Sequence, residues 1–151
     1  VNKNALILRG MNLRGYLQER GIRASHQRIT IFKYLVDKET HPSAQTIYRD
    51  LAESIPTLSK TTVYNTVKLF VDKGIIEEIT IGGGHEAQYD ISDPSHGHFR
   101  CERCGEITDI PIDPSVHSTA VPAGFSVHEI HIHFEGLCDG CMKGKQRSGE
   151  K

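Results

Sequence analysis

The stretch "LSKTTVYNTVKLFVDKGIIEEITIGGGHEAQYDI", residues 58–91, carries two different periods. Its first half sets Val63, Val67, Phe70 and Val71 on one face at helical spacing, with Ser59 as N-cap and Gly74 as the stop. The opposite face, in the first turns, shows Lys60, Thr61, Thr62, Tyr64, Asn65 and Lys68. A helix that reads DNA needs hydrogen-bonding and cationic side chains there, because its N-terminal residues reach the base edges and the flanking phosphates. The second half alternates apolar and polar residues on both sides of Gly82-Gly83-Gly84, the pattern of a hairpin.

Working backwards, three further helices are expected. Leu13, Tyr16, Leu17 and Ile22 form one stripe, ended by Gly21. Ser25 caps a second, with Ile29, Phe32, Leu35 and Val36 on its apolar face, and Ser43 caps a third, with Ala44, Ile47, Tyr48, Leu51 and Ala52. Pro56 stops it. Short helices followed by a hairpin predict a winged helix over residues 1–90; a helical domain with a merely solvated polar face is the competing reading. The first ten residues, ahead of Met11, read as a possible extension.

Working forwards, the composition changes. The whole chain has 151 residues, 37% hydrophobic and 25% charged, with a net charge of −1. That is enough apolar content for a core, and no run of it is long enough to span a membrane. The front half has a small excess of Lys and Arg, while the back half is acidic and rich in histidine. A polyanion partner for the first and cations for the second follow, weakly. No signal peptide pattern is seen, so a cytoplasmic location is expected.

Residues 91–151 read as a small α+β domain, with strands around "HFRC", "EITDI" and residues 126–138, and a short helix near 114–125. From about residue 143 the tail is polar. So weakly apolar a domain needs a staple. Cys101-x-x-Cys104 and Cys138-x-x-Cys141 supply one: two knuckles, each offering two thiolates, complete a tetrahedron around Zn²⁺. Disulfides and a redox pair compete with this, but the first lacks a secretion signal and the second does not need two matched pairs. Four thiolates leave no position for substrate, so the zinc is expected to be structural.

In "HGHFRCERCGE", residues 96–106, His96 and His98 lie two apart on a strand and face the same side, so both can meet one ion. Asp109, on the following strand, can return to their level. Asp90 precedes His96 by one short connection, and His41 lies far away in sequence. His26, His85 and His117 are expected at the surface, and His128, His131 and His133 either line an exposed strand face or form a weak accessory metal site.

The segments "HPSAQTIY" (41–48), "SKTTVYNTVKLF" (59–70), "HGHFRCERCGEITD" (96–109) and "CDGC" (138–141), in this order, resemble the ferric uptake regulator family of bacterial metal-responsive repressors, and most of all its peroxide-sensing branch. The resemblance implies a regulatory metal site of His41, Asp90, His96, His98 and Asp109. Both carboxylates are Asp, as in that branch, where iron-sensing members typically have Glu. Gln88 stands where the family often has Arg, and Gly97 occupies an acidic position of an additional ligand set. Three imidazoles and two carboxylates suit Fe²⁺ or Mn²⁺. The implied protein is a homodimer that binds a near-palindromic operator through Ser59, Lys60, Thr61, Thr62, Tyr64, Asn65 and Lys68 when loaded with metal. His41 and His96 are the residues implied to be oxidised by peroxide. The alternatives are an iron, zinc or manganese availability sensor without peroxide chemistry and, more remotely, a zinc or thiol enzyme. No catalytic turnover is expected.

Overall fold

A computed structural model describes residues 2–38, 40–80, 86–93, 95–113, 115, 121–127 and 130–144. The chain forms two compact units. The first comprises Val1–Thr80 and Glu86–Ser92, and the second continues from Asp93.

Five helices build the first unit: α1 (Lys3–Arg9), α2 (Leu13–Glu19), α3 (His26–Asp37), α4 (Ala44–Ala52) and α5 (Lys60–Asp72). Each begins on an Asn or Ser whose side-chain oxygen accepts a first-turn N–H: Asn2, Asn12, Ser25, Ser43 and Ser59. Those caps satisfy donors that the helix itself cannot pair. The apolar stripes meet in one core, with Leu17, Ile31, Phe32, Ile47, Val63 and Phe70 fully buried. Phe32 stacks on Tyr16 at 5.4 Å and meets Phe70 edge-on at 5.5 Å, so the aromatic rings tie α2, α3 and α5 together.

Helix α5 ends in a Schellman turn. Gly74, at φ 65°, donates to Val71 O, and Ile75 N reaches back to Phe70 O. The chain then reverses into β1 (Ile76–Ile79), which pairs antiparallel with β2 (Gln88–Ile91), Ile76 opposite Ile91 and Glu77 opposite Asp90. The three glycines expected at the hairpin tip lie outside the described residues.

The first ten residues are not an appendage. Ala5 and Leu8 of α1 are buried in the core, and Asn4 Nδ2 donates to Ser92 O at 2.7 Å. Seven residues, about two helical turns, are too little period to be recognised in the sequence; the packing of α1 on α3 decides it.

The second unit is a three-stranded sheet in the order β4-β3-β5, made of β3 (His96–Cys101), β4 (Ile107–Pro111) and β5 (His133–Gly136), followed by the short helix α6 (Asp139–Met142). Strand β3 runs antiparallel to β4 and parallel to β5. The long strand expected over 126–138 is reduced to His133–Gly136 among the described residues; His128 and Glu129 lie outside them. Its expected apolar face is not buried either, with Ile130 40% and Phe134 44% exposed. An edge strand keeps its alternation only as far as a neighbour pairs with it and a second layer covers it. The helix expected near 114–125 falls largely outside the described residues.

Candidate metal centres and the basic face of helix α5

The cysteine cluster is assembled by sheet register. Strand β3 ends on Cys101, and Gly105, at φ 74°, closes the first knuckle by donating to Cys101 O at 2.8 Å. Pairing of β3 with β5 continues into Glu102 N–Gly136 O at 2.8 Å, which delivers the second knuckle at the start of α6. All four cysteines are unbridged, and their sulfurs lie within 4.8 Å of one another. Cys104 and Cys138 Sγ are 3.9 Å apart. That is far from a disulfide and close to the sulfur–sulfur edge, about 3.8 Å, of a tetrahedron with zinc–sulfur bonds of about 2.3 Å. The donor set therefore fits zinc.

The thiols are not alike. Cys101 is lowered to about 6, because the N–H of Cys138, and then that of Cys104, points at its sulfur. Cys141 is pushed up to about 12 by burial and by the neighbouring thiols. One thiolate forms readily; gathering four needs a dication among them.

Beside the cluster, the second unit also gathers histidines and carboxylates. His98 on β3 lies opposite Asp109 on β4, with Nε2 to Oδ1 at 3.9 Å. His96 Nε2 is 3.9 Å from the same oxygen and 3.2 Å from His98 Nε2. Thus His96, His98 and Asp109 converge. Asp93, which the sequence reading passed over, places Oδ2 at 3.9 Å from His96 Nδ1 and accepts from Ser95 N through Oδ1. Gly97 between the histidines has a steric cause: a Cβ there would stand 2.6 Å from Ile132 O. His133 flanks His98 with rings 5.8 Å apart, and burial, then His98 and His131, lower its pKa.

The first unit holds the other two expected ligands. His41 sits just before α4 at φ 47°, a left-handed conformation uncommon outside glycine. The bond from Tyr89 N to Pro42 O, and the bridge between Ser43 and Gln88, lay this segment along β2. His41 Nε2 is thereby 3.6 Å from Asp90 Oδ2, both residues buried. Asn2, also absent from the sequence reading, donates to Asp90 Oδ2 at 3.2 Å.

On α5, Lys60, Thr61, Tyr64, Asn65 and Lys68 are exposed, Thr62 partly so. Ser59 Oγ caps Thr62 N at 3.1 Å. Tyr64 OH donates to Glu86 Oε1 at 3.1 Å, linking α5 to the approach to β2, and Lys68 lies 4.0 Å from Asp72. Arg23, Gln27 and Arg28 share with Thr62 and Asn65 a depression of about 300 Å³. These two arginines extend the basic face beyond α5; their distance from it in the sequence hid them.

The class is now defined: an α+β protein with a four-cysteine metal cluster, a second group of histidines and aspartates, and a helix with a polar, basic outer face. The chain belongs to the ferric uptake regulator family, whose model matches residues 19–135, a family of metal-responsive transcriptional regulators. The peroxide operon regulator of Bacillus subtilis (strain 168) is 35% identical over 130 residues, covering 84% of this chain and 89% of that protein. PerR from Streptococcus pyogenes, a protein of peroxide sensing and gene regulation, superposes with a TM-score of 0.50 at 34% identity, covering 86% of this chain and 90% of its own. The ferric uptake regulator of Pseudomonas aeruginosa, with manganese, shares the fold at a TM-score of 0.73 and 22% identity, over 85% of this chain and 99% of that one. Among the described residues no helix is long and apolar enough to cross a membrane.

Proposed function

We propose that this chain is a homodimeric transcriptional repressor that binds operator DNA in its metal-loaded form and releases it on exposure to hydrogen peroxide. The first unit acts as a winged helix. Its α5 enters the major groove with Thr61, Thr62, Tyr64 and Asn65 toward the bases, and Ser59, Lys60 and Lys68 toward phosphates. The second unit dimerises and is held by zinc on Cys101, Cys104, Cys138 and Cys141. A location in the cytoplasm goes with this role.

The observation that carries the reading is the pair of ligand groups: His41 with Asp90 in the first unit, and His96, His98 and Asp109 in the second. Each brings imidazole nitrogen next to carboxylate oxygen, without sulfur, the donor set of Fe²⁺ or Mn²⁺. We infer that these five side chains hold one regulatory ion, so that ligation couples the DNA-binding unit to the dimerising unit. Fe²⁺ held there would supply a reductant for hydrogen peroxide in contact with these side chains, chemistry that Mn²⁺ would not supply. His41 and His96 are the imidazoles that would take up one oxygen at a ring carbon as the O–O bond breaks, the other oxygen leaving as water. An oxidised ring donates less well, the remaining ligands, His98, Asp90 and Asp109 among them, hold the ion less tightly, and the two units uncouple. The resemblance of the chain to peroxide-responsive relatives supports this reading over a plain metal-availability sensor.

The test is operator binding by the protein loaded with Fe²⁺ or with Mn²⁺, before and after brief peroxide treatment, with mass spectrometry of the products. Release by the Fe²⁺ form alone, with one added oxygen on a peptide carrying His41 or His96, is expected. Equal release by the Mn²⁺ form, or oxidation confined to the cysteines, would favour the availability sensor.

A further inference from the structure

We propose that Asn2, the N-cap of α1, is a positioning residue for the regulatory metal; this rests on the reading of Asp90 as one of its ligands. Asn2 is 2% exposed, and its amide is used at both ends. Oδ1 accepts from Ala5 N at 3.0 Å and caps α1. Nδ2 donates to Asp90 Oδ2 at 3.2 Å and to Ile91 O at 2.5 Å, nearly ninety residues away in the chain. The other carboxylate oxygen, Asp90 Oδ1, accepts from Ile91 N at 2.7 Å. Both oxygens of Asp90 are therefore fixed in direction, and the one that Asn2 holds is the one 3.6 Å from His41 Nε2.

A carboxylate ligand that rotates freely loses that freedom when a metal binds. One already oriented by hydrogen bonds does not, and partners of this kind typically matter 10–100-fold in metal affinity. Each carboxylate oxygen has more than one lone pair, so the amide and an ion can share Oδ2. The first helix thus takes part in metal binding through its capping residue. Coupling of this kind is reciprocal: whatever docked α1 contributes to metal affinity, bound metal returns to the docking of α1.

Asn2→Ser separates positioning from capping. Serine caps a helix about as well as asparagine but has no amide to reach Asp90. Mn²⁺ titration of the zinc-containing full chain, followed by the electron paramagnetic resonance of free Mn²⁺, should show a dissociation constant raised about tenfold in Asn2→Ser. Asn4→Ala, which removes the bond to Ser92 O and leaves the amide of Asn2 in place, should leave it unchanged. Hydrogen exchange within Lys3–Arg9 should slow on Mn²⁺ binding in the wild-type protein. This readout does not depend on any variant folding well. Wild-type affinity in Asn2→Ser, equal weakening by Asn4→Ala, or exchange in α1 indifferent to Mn²⁺ would each overturn the proposal. A wild-type protein that takes up no Mn²⁺ would overturn the ligand reading of Asp90 and the proposal with it.

Discussion

Gly97 shows how one residue conditions a site that it does not enter. It separates His96 from His98 on β3, and the parallel neighbour approaches so closely that His98 N donates to Ile132 O at 2.9 Å. A methyl group at position 97 would meet that carbonyl at 2.6 Å and Ile132 Cβ at 3.0 Å. Backbone, not a yielding side-chain tip, is in the way, so the strand must shift. Gly97→Ala should lower the stability of the protein by about 1–3 kcal/mol, the usual range for overpacking. Thermal unfolding measures it; an unchanged midpoint would mean that the edge strand gives way freely. The sequence shows a glycine here and gives no reason for it, because Ile132 is distant in the chain. His41 is a second such case: its positive φ is set by the contact of Pro42 and Ser43 with β2, and nothing in "ETHPSA" announces it.

Helix α5 is the element most fully written in the sequence. Its cap, buried stripe and glycine stop are local signals, and the structure has all three. Its outer face carries a prediction. Lys60 lies in the first turn, exposed, with Nζ 5.8 Å from the Tyr48 ring. If it pairs with a phosphate, Lys60→Ala should weaken binding to all duplexes alike. It should also reduce the slope of log affinity against log salt by about one. Filter binding or fluorescence anisotropy across salt concentrations measures both; an unchanged slope would remove Lys60 from the DNA face. Asn65→Ala should instead narrow the gap between operator and random DNA while leaving the slope intact. Strand β5 is the opposite case. The sequence alternates there, but neither the expected length nor a buried apolar face follows, because a strand extends only as far as β3 offers it hydrogen bonds and buries a face only where a second layer covers it.

At the scale of the molecule, the second unit has few buried apolar side chains of its own among the described residues, and its two knuckles meet through the β3–β5 pairing. Zinc bound to four thiolates would supply the missing stabilisation, since metal-binding free energy appears as folding free energy. Cys138→Ser should therefore lose its zinc and unfold this unit on the order of 10 °C lower, a loss of a few kcal/mol. Dimer affinity should fall with it. Metal analysis with calorimetry and sedimentation reads the three effects; a Cys138→Ser protein that retained zinc and dimer would refute the assignment.

What the sequence determined by itself is whatever depends on near neighbours. This covers the capped helices, the stop at Gly74, the same-side placement of His96 and His98, and the two cysteine knuckles. These follow from helix and strand periods and from capping chemistry, each fixed within a few residues. Tertiary structure alone decided that α1 belongs to the core, that Arg23 and Arg28 lie beside α5, and that Asp93 stands near His96. It also decided that Asn2 grips Asp90. Each of these is a meeting of segments whose separate patterns do not mention one another. Strand register and helix packing bring them together, and both minimise a free energy summed over the whole fold.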